Sequence, residues 1–84
     1  MAYSVAYKRS VSRDLSKLGK SEARRIIDEL DRNLPRKADA CPVLKGRFAG
    51  LRKYRVGDYR VVFAILEKEI LVLRIRQRKD AYKK

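Results

Sequence analysis

The sequence contains no histidine and only one cysteine, Cys41, among its 84 residues. The first absence removes imidazole as a general base and, with no cysteine cluster beside it, argues against a zinc site. Any proton transfer then falls to Lys, Arg, Tyr or a carboxylate. The lone cysteine excludes an intrachain disulfide, so nothing calls for an oxidising compartment, and Cys41 reads as a semi-buried thiol without a chemical task. No apolar run approaches the roughly 18 residues that cross a bilayer. The first residues also lack the hydrophobic segment of a signal peptide, and the expected compartment is the cytoplasm. Negative charge is scarce too: ten Asp and Glu stand against 23 Lys and Arg, a formal charge of +13. Such a balance favours a polyanionic partner, whether nucleic acid, an acidic protein or an anionic membrane surface.

What is present is unevenly placed. Residues 1–42 carry ten Lys or Arg against six acids, and residues 43–84 carry thirteen against four. The length predicts one domain, residues 1–84, with a single core that buries roughly 60% of its unfolded surface. Residues 2–7 (AYSVAY) alternate and predict a short strand with Tyr3, Val5 and Tyr7 on one face. Ser10 or Ser12 then caps a short helix carrying Val11, Leu15 and Leu18, which Gly19 ends. Ser21 caps a second helix in which Ala23, Ile26, Ile27, Leu30 and Leu34 recur at helical spacing. That helix is expected to stop near Asn33 or Leu34, because Pro35 disfavours helical geometry in the residue before it. The short Gly-Lys link predicts a helical hairpin whose mixed charges form a solvated surface. Residues 35–50 are irregular, with Val43 and Leu44 as anchors, and Lys45, Arg47 and Phe48 read either as ligand contacts or as loop decoration.

Residues 51–82, LRKYRVGDYRVVFAILEKEILVLRIRQRKDAY, predict three antiparallel strands and a basic tail. Gly57-Asp58 suits a two-residue hairpin turn, since glycine accepts positive φ at the first central position. That register sets Val56 opposite Tyr59, Arg55 opposite Arg60 and Lys53 opposite Val62. A three-residue loop at Glu67-Lys68-Glu69 then sets Leu66 opposite Ile70, Val62 opposite Arg74 and Arg60 opposite Arg76. One face collects Val61, Phe63 and Ile65 with Leu71, Leu73 and Ile75. The other collects Lys53, Arg55, Arg60, Arg74 and Arg76 with no acid among them. Taken alone such a row reads either as a solvated face or as an anion site. Tyr54 and Tyr59 read as core or edge aromatics. The whole predicts an α+β fold of order β-α-α-β-β-β, with a helical hairpin on one face of a mostly antiparallel four-stranded sheet.

The chain resembles the RelE/ParE toxin superfamily of toxin–antitoxin systems over nearly its whole length. LKGRFAGLRKYRVGDYRVVF at 44–63 and RQRKDAY at 76–82 are similar to the family patterns L-x-G-x(3)-G-L-x-x-Y-R-V-G-x-Y-R-[VI]-[VI]-[YF] and [GH]-H-R-K-x-x-Y. The resemblance implies a RelE-like fold and, in the RelE-like branch, a ribosome-dependent mRNA endoribonuclease without a cofactor. It matches Arg60 to a central-strand arginine, Arg78 to a C-terminal arginine, Tyr82 to the terminal tyrosine and Lys53 to one of a lysine pair. Leu51 stands in place of the second lysine and Gln77 in place of a frequent histidine.

The implied reaction is attack of a ribose 2′-OH on its own phosphate. It needs in-line geometry, charge relief and proton transfer at both oxygens. Arg60 and Arg78 suit the charge, Tyr82 and Lys53 the proton work, and Lys45, Arg47, Arg55, Arg74, Arg76 and Lys79 the RNA backbone. The implied partners are an acidic RelB-like antitoxin, the ribosomal A site with its mRNA, and operator DNA only through the antitoxin, with no membrane. The alternatives are a ParE-like DNA gyrase inhibitor without nuclease activity and a noncatalytic ribosome- or RNA-binding module.

Overall fold

The computed structural model describes residues 3–46 and 50–77, so the expected roles of Arg47, Arg78, Lys79 and Tyr82 lie outside the described residues. Its elements are β1 (Ser4–Tyr7), α1 (Arg9–Ser16), α2 (Lys20–Lys37), a 3-10 turn (Ala38–Ala40), β2 (Arg52–Val56), β3 (Tyr59–Leu66) and β4 (Glu69–Gln77). One four-stranded sheet runs β1-β4-β3-β2. β1 lies parallel to β4 at the edge, and the other neighbours are antiparallel. The expected α+β, RelE-like order is therefore present. Among the described residues no helix is long and apolar enough to cross a membrane.

Both helices cover one face of the sheet. Val11 of α1 and Ile26, Leu30 and Leu34 of α2 share a core with Val56, Tyr59, Val61, Phe63, Ile70, Val72 and Ile75. Phe63, Ile26, Leu30 and Leu34 are wholly buried, each such side chain contributing about 1.5–3 kcal/mol of transfer free energy. This burial explains why α2 overruns its expected stop at Asn33 or Leu34. Pro35 sits inside the helix, which continues to Lys37. The proline removes one intrahelical hydrogen bond, a cost of about 3 kcal/mol. Keeping the turn helical buries Leu34 before it and Ala38 after it, both at 0% exposure.

The helix starts also differ from expectation. Lys8 precedes α1 and Gly19 precedes α2, and neither start has a side-chain cap. Ser10 lies within α1 instead, and its hydroxyl donates to the carbonyl of Leu73 at 2.6 Å. Gly19 has φ 87°, a conformation in which a residue with a Cβ would be strained, and Ser21 lies inside α2. Among the described residues of 35–50 the buried anchors are Ala38 and Cys41, whereas Val43 is 51% exposed. Leu44 is half-buried, and its N–H donates to the Leu51 carbonyl at 2.8 Å. Burial pushes the Cys41 thiol above its usual range, and its Sγ donates to the Lys37 carbonyl at 3.3 Å.

The first hairpin has the expected register: Val56 opposes Tyr59, Arg55 opposes Arg60 and Lys53 opposes Val62. The second hairpin agrees only at its open end, where Arg60 opposes Arg76 and Val62 opposes Arg74. Its turn has two residues, Glu67 and Lys68, so Leu66 meets Glu69 and Ile65 meets Ile70. A bulge opposite Val62 and Phe63 absorbs the extra residue, which is Leu73. Ile70 and Val72, not Leu71 and Leu73, therefore join Ile75 in the core. The tight turn puts Glu67 at φ 56°, a left-handed conformation costing about 1–2 kcal/mol for a residue with a Cβ.

Candidate phosphate-binding face

The sheet face turned away from the helices is built by parity. Arg55 opposes Arg60 and Arg60 opposes Arg76, so three guanidinium side chains start from one row across β2, β3 and β4. Adjacent strands lie about 4.8 Å apart, so the row spans about 10 Å. The next row holds Lys53, Val62 and Arg74. Directly opposed like charges cost about 0.2–1 kcal/mol per pair, a cost that an anion laid across the row would offset. Arg60 is half-buried and also engages other groups of the chain. Arg55 and Arg76 are exposed and Lys53 is half-buried. A cleft of about 160 Å³ joins Lys53, Arg55 and Arg60 with Pro42, Tyr54 and Tyr59. Lys45 is exposed in the loop before β2 and does not line that cleft.

This face is not free of acid, although the register alone implied that it is. Asp14 of α1 reaches Arg74, taking its Nε at 3.0 Å and its Nη2 at 3.2 Å, and also accepts the Ile75 N–H at 2.9 Å. Burial works against the ionised carboxyl. The Arg74 fork and the Ile75 N–H outweigh it and hold Asp14 below its ordinary pKa. The sequence signal was available: Asp14 falls three residues after Val11 and four before Leu18, on the apolar stripe of its helix.

The charged side of α2 also does more than meet solvent. The hydroxyls of Tyr3, Tyr7, Tyr54 and Tyr59 donate to Asp39, Asp31, Glu29 and Glu22 respectively. Burial and the Glu29 contact push Tyr54 up to about 12, and burial with the Asp31 contact raises Tyr7 further. Four tyrosines thus hold carboxylates on the helix side of the molecule, while the opposite face gathers cations. Among the described residues no group of His, Cys, Asp and Glu is arranged to hold a metal ion.

A profile of the family described as "ParE toxin of type II toxin-antitoxin system, parDE" matches residues 5–82. The chain belongs to this toxin family. It is the toxin of a type II toxin–antitoxin system, within the RelE/ParE superfamily. Solved structures extend the likeness. The toxin is 31% identical to a chain of the archaeal RelE–RelB complex from Pyrococcus horikoshii, covering 93% of this chain and 97% of that one with a TM-score of 0.64. Against a chain of the RelBE2 toxin–antitoxin complex from Mycobacterium tuberculosis the identity is 26%, the coverage 93% and 100%, and the TM-score 0.81. A chain of the chromosomal ParDE system from Pseudomonas aeruginosa shares the fold at 20% identity, covering 90% of this toxin and 96% of its own length with a TM-score of 0.68. No curated protein sequence matches the toxin.

Proposed function

We propose that this toxin is a ribosome-dependent mRNA endoribonuclease that inhibits translation. The observation that carries the reading is the row Arg55, Arg60 and Arg76, backed by Lys53, on one sheet face beside a cleft. Guanidinium groups held in a row match a ribose-phosphate strand by charge and by their planar forks. In the reaction, the 2′-oxygen attacks the adjacent phosphorus, a P–O2′ bond forms and the P–O5′ bond breaks. The products are a 2′,3′-cyclic phosphate and a 5′-OH. The 2′ proton leaves to a base and the departing 5′-oxygen gains a proton from an acid.

Arg60, with Arg78 from the tail, is assigned to the charge that builds on the phosphate, and Arg55 and Arg76 to the flanking backbone. Lys45, Arg47 and Lys79 add affinity along the strand. Lys53 and Tyr82 take the proton transfers. The step gains from substrate held in line by the ribosomal A site. The complexes formed by its relatives with RelB support an acidic RelB-like antitoxin that covers the basic face and carries any operator binding.

The family description favours a second reading, a ParE-like inhibitor of DNA gyrase without nuclease activity. Induction of the toxin followed by primer extension on mapped transcripts separates the two. Codon-phased cuts that require ribosomes support the first reading. Intact mRNA with accumulating cleaved DNA–gyrase complexes supports the second, and salt-sensitive ribosome binding without any cut points to a noncatalytic module.

A further inference from the structure

β1 pairs with β4 only from Glu69 to Val72. Past that point the same edge of β4 would present bare N–H and C=O groups. Helix α1 takes over where the strand ends: the Lys8 N–H donates to the Val72 carbonyl at 2.9 Å, the Ser10 hydroxyl to the Leu73 carbonyl at 2.6 Å, and the Ile75 N–H to Asp14 at 2.9 Å. Three α1-side contacts in order thus stand in for a missing strand. They bracket the bulge at Leu73, and a bulge bends its strand and re-aims the side chains beyond it. Something must fix that new direction, because Arg76, the second outward residue past the bulge, belongs to the arginine row.

A carboxylate is more than this edge requires. A neutral hydroxyl or amide at position 14 would satisfy the Ile75 N–H alone, and a charge that is only 9% exposed is costly unless it is paired. The charge is used first toward Arg74, whose Nε and Nη2 it holds, and it also attracts Arg76. We propose that Asp14 is a positioning residue: through the Ile75 N–H and the Arg74 guanidinium it fixes the end of β4 so that Arg76 stands opposite Arg60. Arg74 then serves this anchor and does not bind phosphate. The rate arm of the test below rests on the endoribonuclease reading, and the binding arm does not.

The test compares wild type, Asp14→Asn and Arg74→Gln in ribosome-dependent cleavage of a defined mRNA and in binding to a single-stranded RNA oligonucleotide across a salt series. Asp14→Asn keeps an acceptor for Ile75 and releases the fork. It is expected to cut ~10- to 100-fold more slowly through lost geometry. It is also expected to bind RNA more tightly, with a salt slope steeper by about 0.7 for one added phosphate contact. Slower cutting with tighter binding is a split that general destabilisation does not produce. Arg74→Gln, which leaves Asp14 on Ile75, is expected to slow cleavage while RNA affinity and salt slope stay at wild-type values; it decides the matter if Asp14→Asn does not fold. The proposal is overturned if Arg74→Gln lowers the salt slope by about 0.7, since Arg74 would then be a phosphate contact. Wild-type rates in both variants, or parallel losses of rate and affinity, overturn it equally. A wild-type protein that cuts nothing refutes the nuclease reading, and the two binding measurements then judge the anchor alone.

Discussion

Arg60→Ala removes the central member of the Arg55, Arg60 and Arg76 row. If Arg60 meets the charge that builds on the scissile phosphate, losing this preorganised donor costs about 3–4 kcal/mol in the transition state, or ~100- to 1000-fold in rate. Its effect on folding lives on another scale. Arg60 is half-buried, stands outside the hydrophobic core and engages other groups of the chain, so its loss is expected to cost about 1 kcal/mol of stability. For a domain of this size that is about 4–8 °C in Tm, too little to empty the folded state at assay temperature. The assay is single-turnover cleavage of a defined mRNA on purified ribosomes, read by primer extension beside a thermal melt of the same preparation. Arg55→Ala, at the end of the row, serves as the graded comparison with an expected loss of ~10-fold, about 1.4 kcal/mol. A folded Arg60→Ala protein cutting within about threefold of wild type, less than ~1 kcal/mol, would refute the assignment of the row to the scissile phosphate.

Four further outcomes follow from the same geometry. Tyr54 is raised to about 12, so its neutral form is favoured by folding and its contribution is complete below the ordinary tyrosine value; stability should fall between pH ~10 and ~12, and Tyr54→Phe should flatten that fall in urea midpoints. Asp14 is lowered from an ordinary value of 3.8, so its contribution is full above that pH and lost as pH drops through the folded value; acid unfolding should be shallower in Asp14→Asn. Pro35→Ala restores a helix N–H at the cost of a more flexible unfolded chain, for a net gain of about 2 kcal/mol and a higher Tm; an unchanged or lower Tm counts against the overrun account. Phe63→Ala empties a site of 0% exposure and should cost about 3–5 kcal/mol, enough to leave a small domain largely unfolded in a denaturant titration.

How far the sequence carried each element depended on whether its signal was local. The first hairpin was legible because Gly57-Asp58 fixes the turn and the alternation of Arg55, Val56, Tyr59 and Arg60 allows one register. The apolar stripe of α2 was legible for the same reason, through Ile26, Leu30 and Leu34. β4 carried no such signal. Its run Ile70, Leu71, Val72 and Leu73 is apolar at every position, so either parity buries hydrophobic side chains, and only the packing against α1 and the two-residue turn selects the bulged one.

Chain order and turn chemistry by themselves determined the α+β layout, the strand pairing around Gly57 and the placing of Arg55 opposite Arg60, because each follows from spacing between near neighbours, whereas Arg76 reaches their row only through the bulge at Leu73. Tertiary packing alone decided that α2 runs through Pro35, that Asp14 claims Arg74, and that tyrosines from three strands hold the acids on the helix side. Each of these sets a local cost against contacts between residues far apart in the chain, and that comparison exists only once the helices lie on the sheet.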